Sequence, residues 1–326
     1  MKILVTGGLG LIGHNVVHRL ENLGHDVVIV DNMTNYGIVP QDELDYLIKE
    51  RKKKIANSPV YVAHIASDTA NYLFEKHKFD TVIHMASFPR QKVVNNNPML
   101  GADTMMTGLL NLLEASKTHN ITKFLYISSS MVYGDFTDDV TEDYHCKPQG
   151  QYGIMKLAGE DLVKDYSRRG CFNHTIIRPS AVYGPLDVED RVIAKFMLTA
   201  MRGETLKVNG AGETLDFTYV DDAADGIVAA ALSENTANKT YNITKSHSVS
   251  LLQAAEAIVK MVGKGSYQLK AKDADFPSRG ALNIDAARID FGFDPKVDVQ
   301  EGFEKYYEWI TNSDYWSGRL NDNRTK

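Results

Sequence analysis

The chain begins MKILVTGGLGLIG, and its four glycines constrain the fold more than any other segment. Glycine loses more conformational freedom on folding than any other residue, so glycines spent this densely must answer a geometric need. Gly7, Gly10 and Gly13 stand in G-x-x-G-x-x-G spacing. Before them residues 3–5 read as a buried strand; after them residues 12–23 read as a helix closed by Gly24. Such a joint requires a tight turn, close approach of backbone to a pyrophosphate, and a helix packed near its strand. The helix N-terminus then turns free N–H groups and the positive end of its dipole toward phosphate. A second strand, residues 26–31, ends on Asp31, eighteen residues after Gly13. A carboxylate there accepts hydrogen bonds from ribose hydroxyls and repels a 2′-phosphate, which predicts NAD rather than NADP.

Residues 60–65, 81–85 and 124–128 read as further strands separated by helical stretches. Strands alternating with helices indicate a parallel sheet covered on both faces. The texture changes after Ile176-Ile177-Arg178-Pro179. Residues 192–202, 250–262 and 300–310 read as helices and 215–220 as a short strand, while the helix 223–232 can return to the main sheet. The expectation is an α/β, Rossmann-type doubly wound parallel sheet with a smaller C-terminal α/β substrate lobe. Residues 1–179 plus about 216–245 would form the first unit, and about 180–215 plus 246–326 the second. The run Glu50-Arg51-Lys52-Lys53-Lys54 reads as a solvated helix face, and residues 321–326 as a frayed tail.

Several functions are disfavoured. A net charge of −6 argues against nucleic-acid binding through bulk charge. No apolar run is long enough to span a bilayer. Cys146 and Cys171 are too few for a disulfide framework or a cysteine metal cluster, and the ten histidines lack zinc-enzyme spacing. No metal is expected, Asp221-Asp222 reads as an N-cap, and the expected compartment is the cytoplasm.

Reactive chemistry concentrates in two segments. Tyr152-Gly153-Ile154-Met155-Lys156 is Y-x-x-x-K, which places both side chains on one helix face. A lysine beside a tyrosine favours the phenolate, making Tyr152 a plausible general base. The segment Leu125 to Gly134 delivers Ser128, Ser129 and Ser130 at a strand's carboxyl end, where ligands sit in open α/β sheets. At least one of the three serves as a structural cap or turn.

TGGLGLIG, VIHMAS, SSSMVYG, YGIMK, RPSAVYGP and LDFTYVDD together resemble the extended short-chain dehydrogenase/reductase superfamily, in its NAD-dependent nucleotide-sugar epimerase/dehydratase branch. The tail DFPSRGALNIDAARIDFGFDP continues the match. The resemblance implies that Tyr152 removes a proton from a sugar hydroxyl, with Ser129 and Lys156 as catalytic partners. It implies an NAD site built from Gly7, Gly10, Leu11, Ile12, Asp31, Asn32, Ile65, Ala86, Tyr152 and Lys156. Ser129, Ser130 and Arg279 would meet the substrate, Arg279 at the diphosphate of a nucleotide sugar, with a UDP-sugar favoured. A homodimer through the helices around 109–115 and 152–166 is also implied.

The 4,6-dehydratases of this branch carry Thr-Asp-Glu before VYG, whereas this chain has Ser129-Ser130-Met131. Without that carboxylate pair, epimerisation at C4 through a transient 4-keto sugar is expected. The alternatives are a nucleotide-sugar dehydrogenase or ketoreductase that exchanges NAD(H), and a non-catalytic NAD-sensing regulator. Four positions depart from the branch: His64 stands for an aspartate, Met105-Met106 for Asn-Val, Ala181 for an asparagine, and Leu215 for a diphosphate-facing arginine. Arg191, Lys195 and Lys207 are possible compensating cations, and Arg90 reads as a solvated rim residue.

Overall fold

A computed structural model describes residues 1–88 and 90–321. Six strands, β1 (Lys2–Thr6), β2 (Asp26–Asp31), β3 (Val60–Val62), β4 (Thr81–His84), β5 (Lys123–Ile127) and β6 (Asn173–Pro179), join the later strand Lys239–Ile243 in one sheet. Its order is Lys239–Ile243, β6, β5, β4, β1, β2, β3, and every neighbouring pair is parallel. This is the doubly wound Rossmann-type sheet expected from the sequence. Its order reverses between β1 and β4, where the carboxyl ends of the strands leave a crevice for a ligand.

The strands read as nearly continuous apolar runs because both faces are covered. Alternate side chains go to opposite sides. Ile3 and Val5 join Val16, Val17 and Ile227 on one face, while Leu4 joins Val82, Leu109 and Leu113 on the other. The helix Val220–Leu232 returns to the main sheet and packs against the helix Leu11–Asn22. A further cluster gathers Tyr183, Phe196, Met197, Ile258, Phe303, Tyr306 and Trp316. Around it Thr205–Asn209 pairs with Ser266–Lys270, and the helix Leu251–Val262 starts at a Ser250–Gln253 capping box.

Some expectations need correction. The strand at 60–65 stops at Val62. The strand expected at 215–220 splits into Thr214–Asp216, which pairs with Ser248–Ser250, and Thr218–Tyr219, which pairs with Val182–Tyr183. Asp221 and Asp222 do not cap their helix. Asp222 accepts the N–H groups of Lys296 and Val297 at 2.9 Å each, and Asp221 pairs with Arg19. The charged run is solvated only in part, because Arg51 is buried. Of the frayed tail, residues 322–326 lie outside the described residues, and residue 321 closes a helix.

Beneath the serine row runs a buried polar chain. Glu160, with no exposed surface, accepts from Ser128 at 2.6 Å and from Arg178 at 2.9 and 2.7 Å. Arg178 also donates to Tyr133, whose hydroxyl reaches Asn242. Burial works against the Arg178 charge, but Glu160 more than offsets it and holds the guanidinium above its usual range. Removing one member leaves an uncompensated buried charge. Glu160→Met should therefore lower the unfolding free energy by about 3–5 kcal/mol in urea titrations, and adding Arg178→Met should recover part of the loss.

Candidate active site

The glycine turn is as tight as its spacing demands. Gly7 has φ +71°, and a methyl group there would meet Ala86 N at 2.7 Å. A methyl group on Gly13 would lie 2.2 Å from the Gly7 carbonyl oxygen, so the helix can approach the strand this closely only as glycine. Asp31 braces the turn, accepting from Leu9 N at 2.9 Å and Met33 N at 2.8 Å. A cleft opens above, lined by Gly7, Gly10, Leu11, Asp31, Asn32, Ile65 and Ala86, all expected to hold the dinucleotide. Ile12, Tyr152 and Lys156 are not in the lining, and the Ile12 side chain packs against the core. His64 lines the cleft and its Nε2 meets Thr104 Oγ1 at 3.1 Å, so a hydrogen-bonding imidazole stands where the resemblance led to an aspartate. Asp68 stands at the start of the helix Thr69–His77 but makes no side-chain capping bond.

Cations converge on this cleft. Arg90 does not belong to a solvated rim: it lines the cleft, pairs with Asp190 and has a buried Nε without a partner. Burial, with Arg191 nearby, pulls its pKa down to about 10. Arg51 lines the cleft with its own Nε unpartnered. Its helix, Gln41–Lys53, buries Leu44, Leu47 and Arg51, so Arg51 continues the apolar stripe at i, i+3, i+7. That spacing was the available signal for its burial. Arg191, one of the possible compensating cations, is also in the lining, and so is Asp187, which carried no sequence signal.

The three serines separate into roles. Ser128 bonds Glu160, and Ser130 is buried against Ser180 with Oγ–Oγ 3.2 Å. Ser130, expected to meet substrate, thus directs its hydroxyl into the protein. Ser129 opens the short turn Ser130–Val132, accepts from Met131 N at 3.2 Å and stands close enough to Tyr152 to favour its ionised form. Tyr152 and Lys156 share one face of the helix Gln151–Arg168, with the Lys156 Nζ 5.9 Å from the Tyr152 ring centre.

The electrostatics differ from the simple tyrosine–lysine picture. Burial raises the Tyr152 pKa, and the charges of Arg191 and Arg279 and the Ser129 bond pull the other way. Lys156 donates to the Ile127 carbonyl at 2.7 Å, and burial brings its own pKa down to about 7 despite the opposing pull of Glu160. The pair is therefore assembled but not activated by Lys156 alone. Arg279 stands near enough to Tyr152 for each to feel the other's charge; its Nε is buried without a partner, and burial lowers its pKa to about 10. Leu215 packs against the apolar cluster of the later residues. Among the described residues no group of three or more His, Cys, Asp or Glu could hold a metal, and no helix is long and apolar enough to cross a membrane.

A tight glycine turn at a helix N-terminus, a carboxylate bracing it from the end of β2 and a tyrosine–lysine pair on one helix face define a dinucleotide-dependent enzyme of the doubly wound class. The model for "NAD dependent epimerase/dehydratase family" matches residues 3–244, and the chain belongs to that family. NAD is its cofactor, and the cleft residues fit it. Among curated proteins the chain is similar to Protein CapI of Staphylococcus aureus, 29% identical over 331 residues covering 95% of this chain and 98% of that one. Among solved structures it is similar to UDP-glucuronic acid 4-epimerase from Bacillus cereus in complex with UDP-glucuronic acid and NAD (TM-score 0.88, 27% identity, 95% and 99% covered). It is also similar to UDP-glucose 4-epimerase with UDP-glucose from Thermotoga maritima (TM-score 0.85, 26% identity, 95% and 99% covered).

Two predictions follow from this geometry. Gly13→Ala should weaken NAD binding by more than about tenfold in calorimetric titration, because the turn must open to admit the methyl group. Lys156 binds its proton less readily folded than unfolded, so its contribution to ligand-free stability grows as pH rises from about 7 toward 10. Wild-type stability should gain up to about 1.4 kcal/mol per pH unit over Lys156→Met across that window, read by urea unfolding at several pH values.

Proposed function

We propose that, within this family's NAD-dependent nucleotide-sugar epimerisation, the chain inverts C4 of a UDP-sugar through a transient 4-keto intermediate. The observation that carries the reading is the convergence of Ser129 on Tyr152, with the buried Lys156 on the same helix face, in a segment without the acidic pair of the dehydratases. Met131 and Ser130 are both buried at those two positions, so no carboxylate stands there to drive elimination.

NAD supplies the hydride acceptor at oxidation and the hydride donor at reduction. Tyr152 takes the proton of the C4 hydroxyl and returns it to the C4 oxygen after the keto-sugar has turned over. Ser129 holds that oxygen in line with the phenol. Positive charge from Arg191 and Arg279 favours the phenolate that this step requires. Lys156 holds the nicotinamide ribose and adds its own charge once it binds a proton. Arg279 receives the diphosphate, its unpartnered Nε supplying a donor. The second unit, residues 180–215 and 246–326, carries the nucleotide side of the substrate. Two chains associate through the helices Gly108–Thr118 and Gln151–Arg168, which leave Leu110 and Ile154 exposed.

The test incubates the protein with UDP-glucose and with UDP-glucuronic acid and follows products by NMR. The 4-epimer should appear without added NAD and without net NADH; absence of a 4-epimer from either sugar overturns the reading, and accumulation of NADH favours the dehydrogenase alternative. Tyr152→Phe should lower kcat by about 10³ while leaving bound NAD in place, as expected for loss of a general base.

A further inference from the structure

Arg51 joins two loops that are far apart in sequence. Its Nη1 donates to the Leu9 carbonyl at 2.9 Å and its Nη2 to the Leu186 carbonyl at 2.6 Å. The side chain is 5% exposed and reaches both from the helix Gln41–Lys53. Leu9 belongs to the glycine turn, and its own N–H is held by Asp31. Leu186 lies 135 residues from Arg51 and adopts φ +70°, a left-handed conformation that leucine rarely takes. It opens the segment 186–191, whose Asp187, Val188 and Arg191 line the same cleft as the glycine turn.

A planar guanidinium is suited to this task. Its donors sit in a fixed fork, so two carbonyls held by one group are fixed relative to each other. Two neutral acceptors do not by themselves compensate a buried cation, and burial accordingly pulls the Arg51 pKa down against the charges of Asp187 and Asp31. Asp187 is itself 3% exposed, with Oδ2 unpartnered and Oδ1 4.0 Å from Arg191 Nε. The strained Leu186 backbone thus persists beside a charge cluster that the glycine turn helps to anchor.

We propose that Arg51 is a positioning residue: by gripping the Leu9 and Leu186 carbonyls with one guanidinium, it makes filling of the dinucleotide site order the segment 186–191. Arg191, which closes that segment and whose charge reaches Tyr152, is then held more firmly once the cofactor is bound. The inference rests on NAD binding and is independent of which sugar the enzyme takes.

Amide hydrogen exchange tests it, with and without saturating NAD. In the wild type NAD should slow exchange by about fivefold or more in both residues 7–13 and residues 184–191. In Arg51→Met, which keeps helix propensity and most of the buried volume, protection at 7–13 should remain and the NAD-dependent protection at 184–191 should vanish. Arg51→Lys keeps the charge but loses the fork, and should behave as Arg51→Met does; it also serves as the second variant if Arg51→Met fails to fold. NAD-dependent protection of 184–191 persisting in either folded variant would overturn the proposal. Exchange in β5, away from both loops, should be the same in all folded forms.

Discussion

The closeness of the helix Leu11–Asn22 to β1 is the constraint on which the cleft depends. At Gly13 a methyl group would sit 2.2 Å from a backbone oxygen, well inside van der Waals contact. That approach brings the helix N-terminus against the end of the strand, so the N–H groups and the floor of the cleft share one short turn. Asp31 at the end of β2 then ties Leu9 and Met33 to the rim, and Arg51 ties Leu9 to Leu186. A slack turn would release each of these ties.

The site is also under-neutralised in a consistent way. Arg51, Arg90 and Arg279 each retain a buried Nε without a partner, and burial pulls the pKa of each downward. Such groups lose hydration without full repayment inside the protein. Two ligands, each carrying one diphosphate and several hydroxyls, would supply the missing acceptors. Tyr152 shows the converse: burial holds its pKa above the ordinary value, and the positive charges that oppose this come from other segments, 191 and 279, rather than from its helical neighbour.

What could be read from sequence was what depends on near neighbours. The glycine spacing, Asp31 at the end of its strand, and the Tyr152–Lys156 face are all local patterns, and the parallel sheet follows from the alternation of apolar runs and helices. Partners across long separations were not legible. Asp222 looked like a cap because helix starts favour aspartate, yet it serves backbone donors 74 and 75 residues away. Arg51 looked solvated because three lysines follow it, although the stripe Leu44–Leu47–Arg51 carried the contrary signal. Ser129 and Ser130 are chemically identical neighbours; only the turn decides that one faces Tyr152 and the other Ser180.

The sheet's outermost strand, Lys239–Ile243, comes from a part of the chain made after the long excursion through the Tyr183–Met201 region. The helix that covers Leu11–Asn22 ends only at Leu232. During synthesis the first two hundred residues would therefore emerge with a greasy flank of the nascent sheet still bare. Such an arrangement is rich in contacts between distant segments, which slows assembly and leaves the unfinished chain dependent on protection from its neighbours.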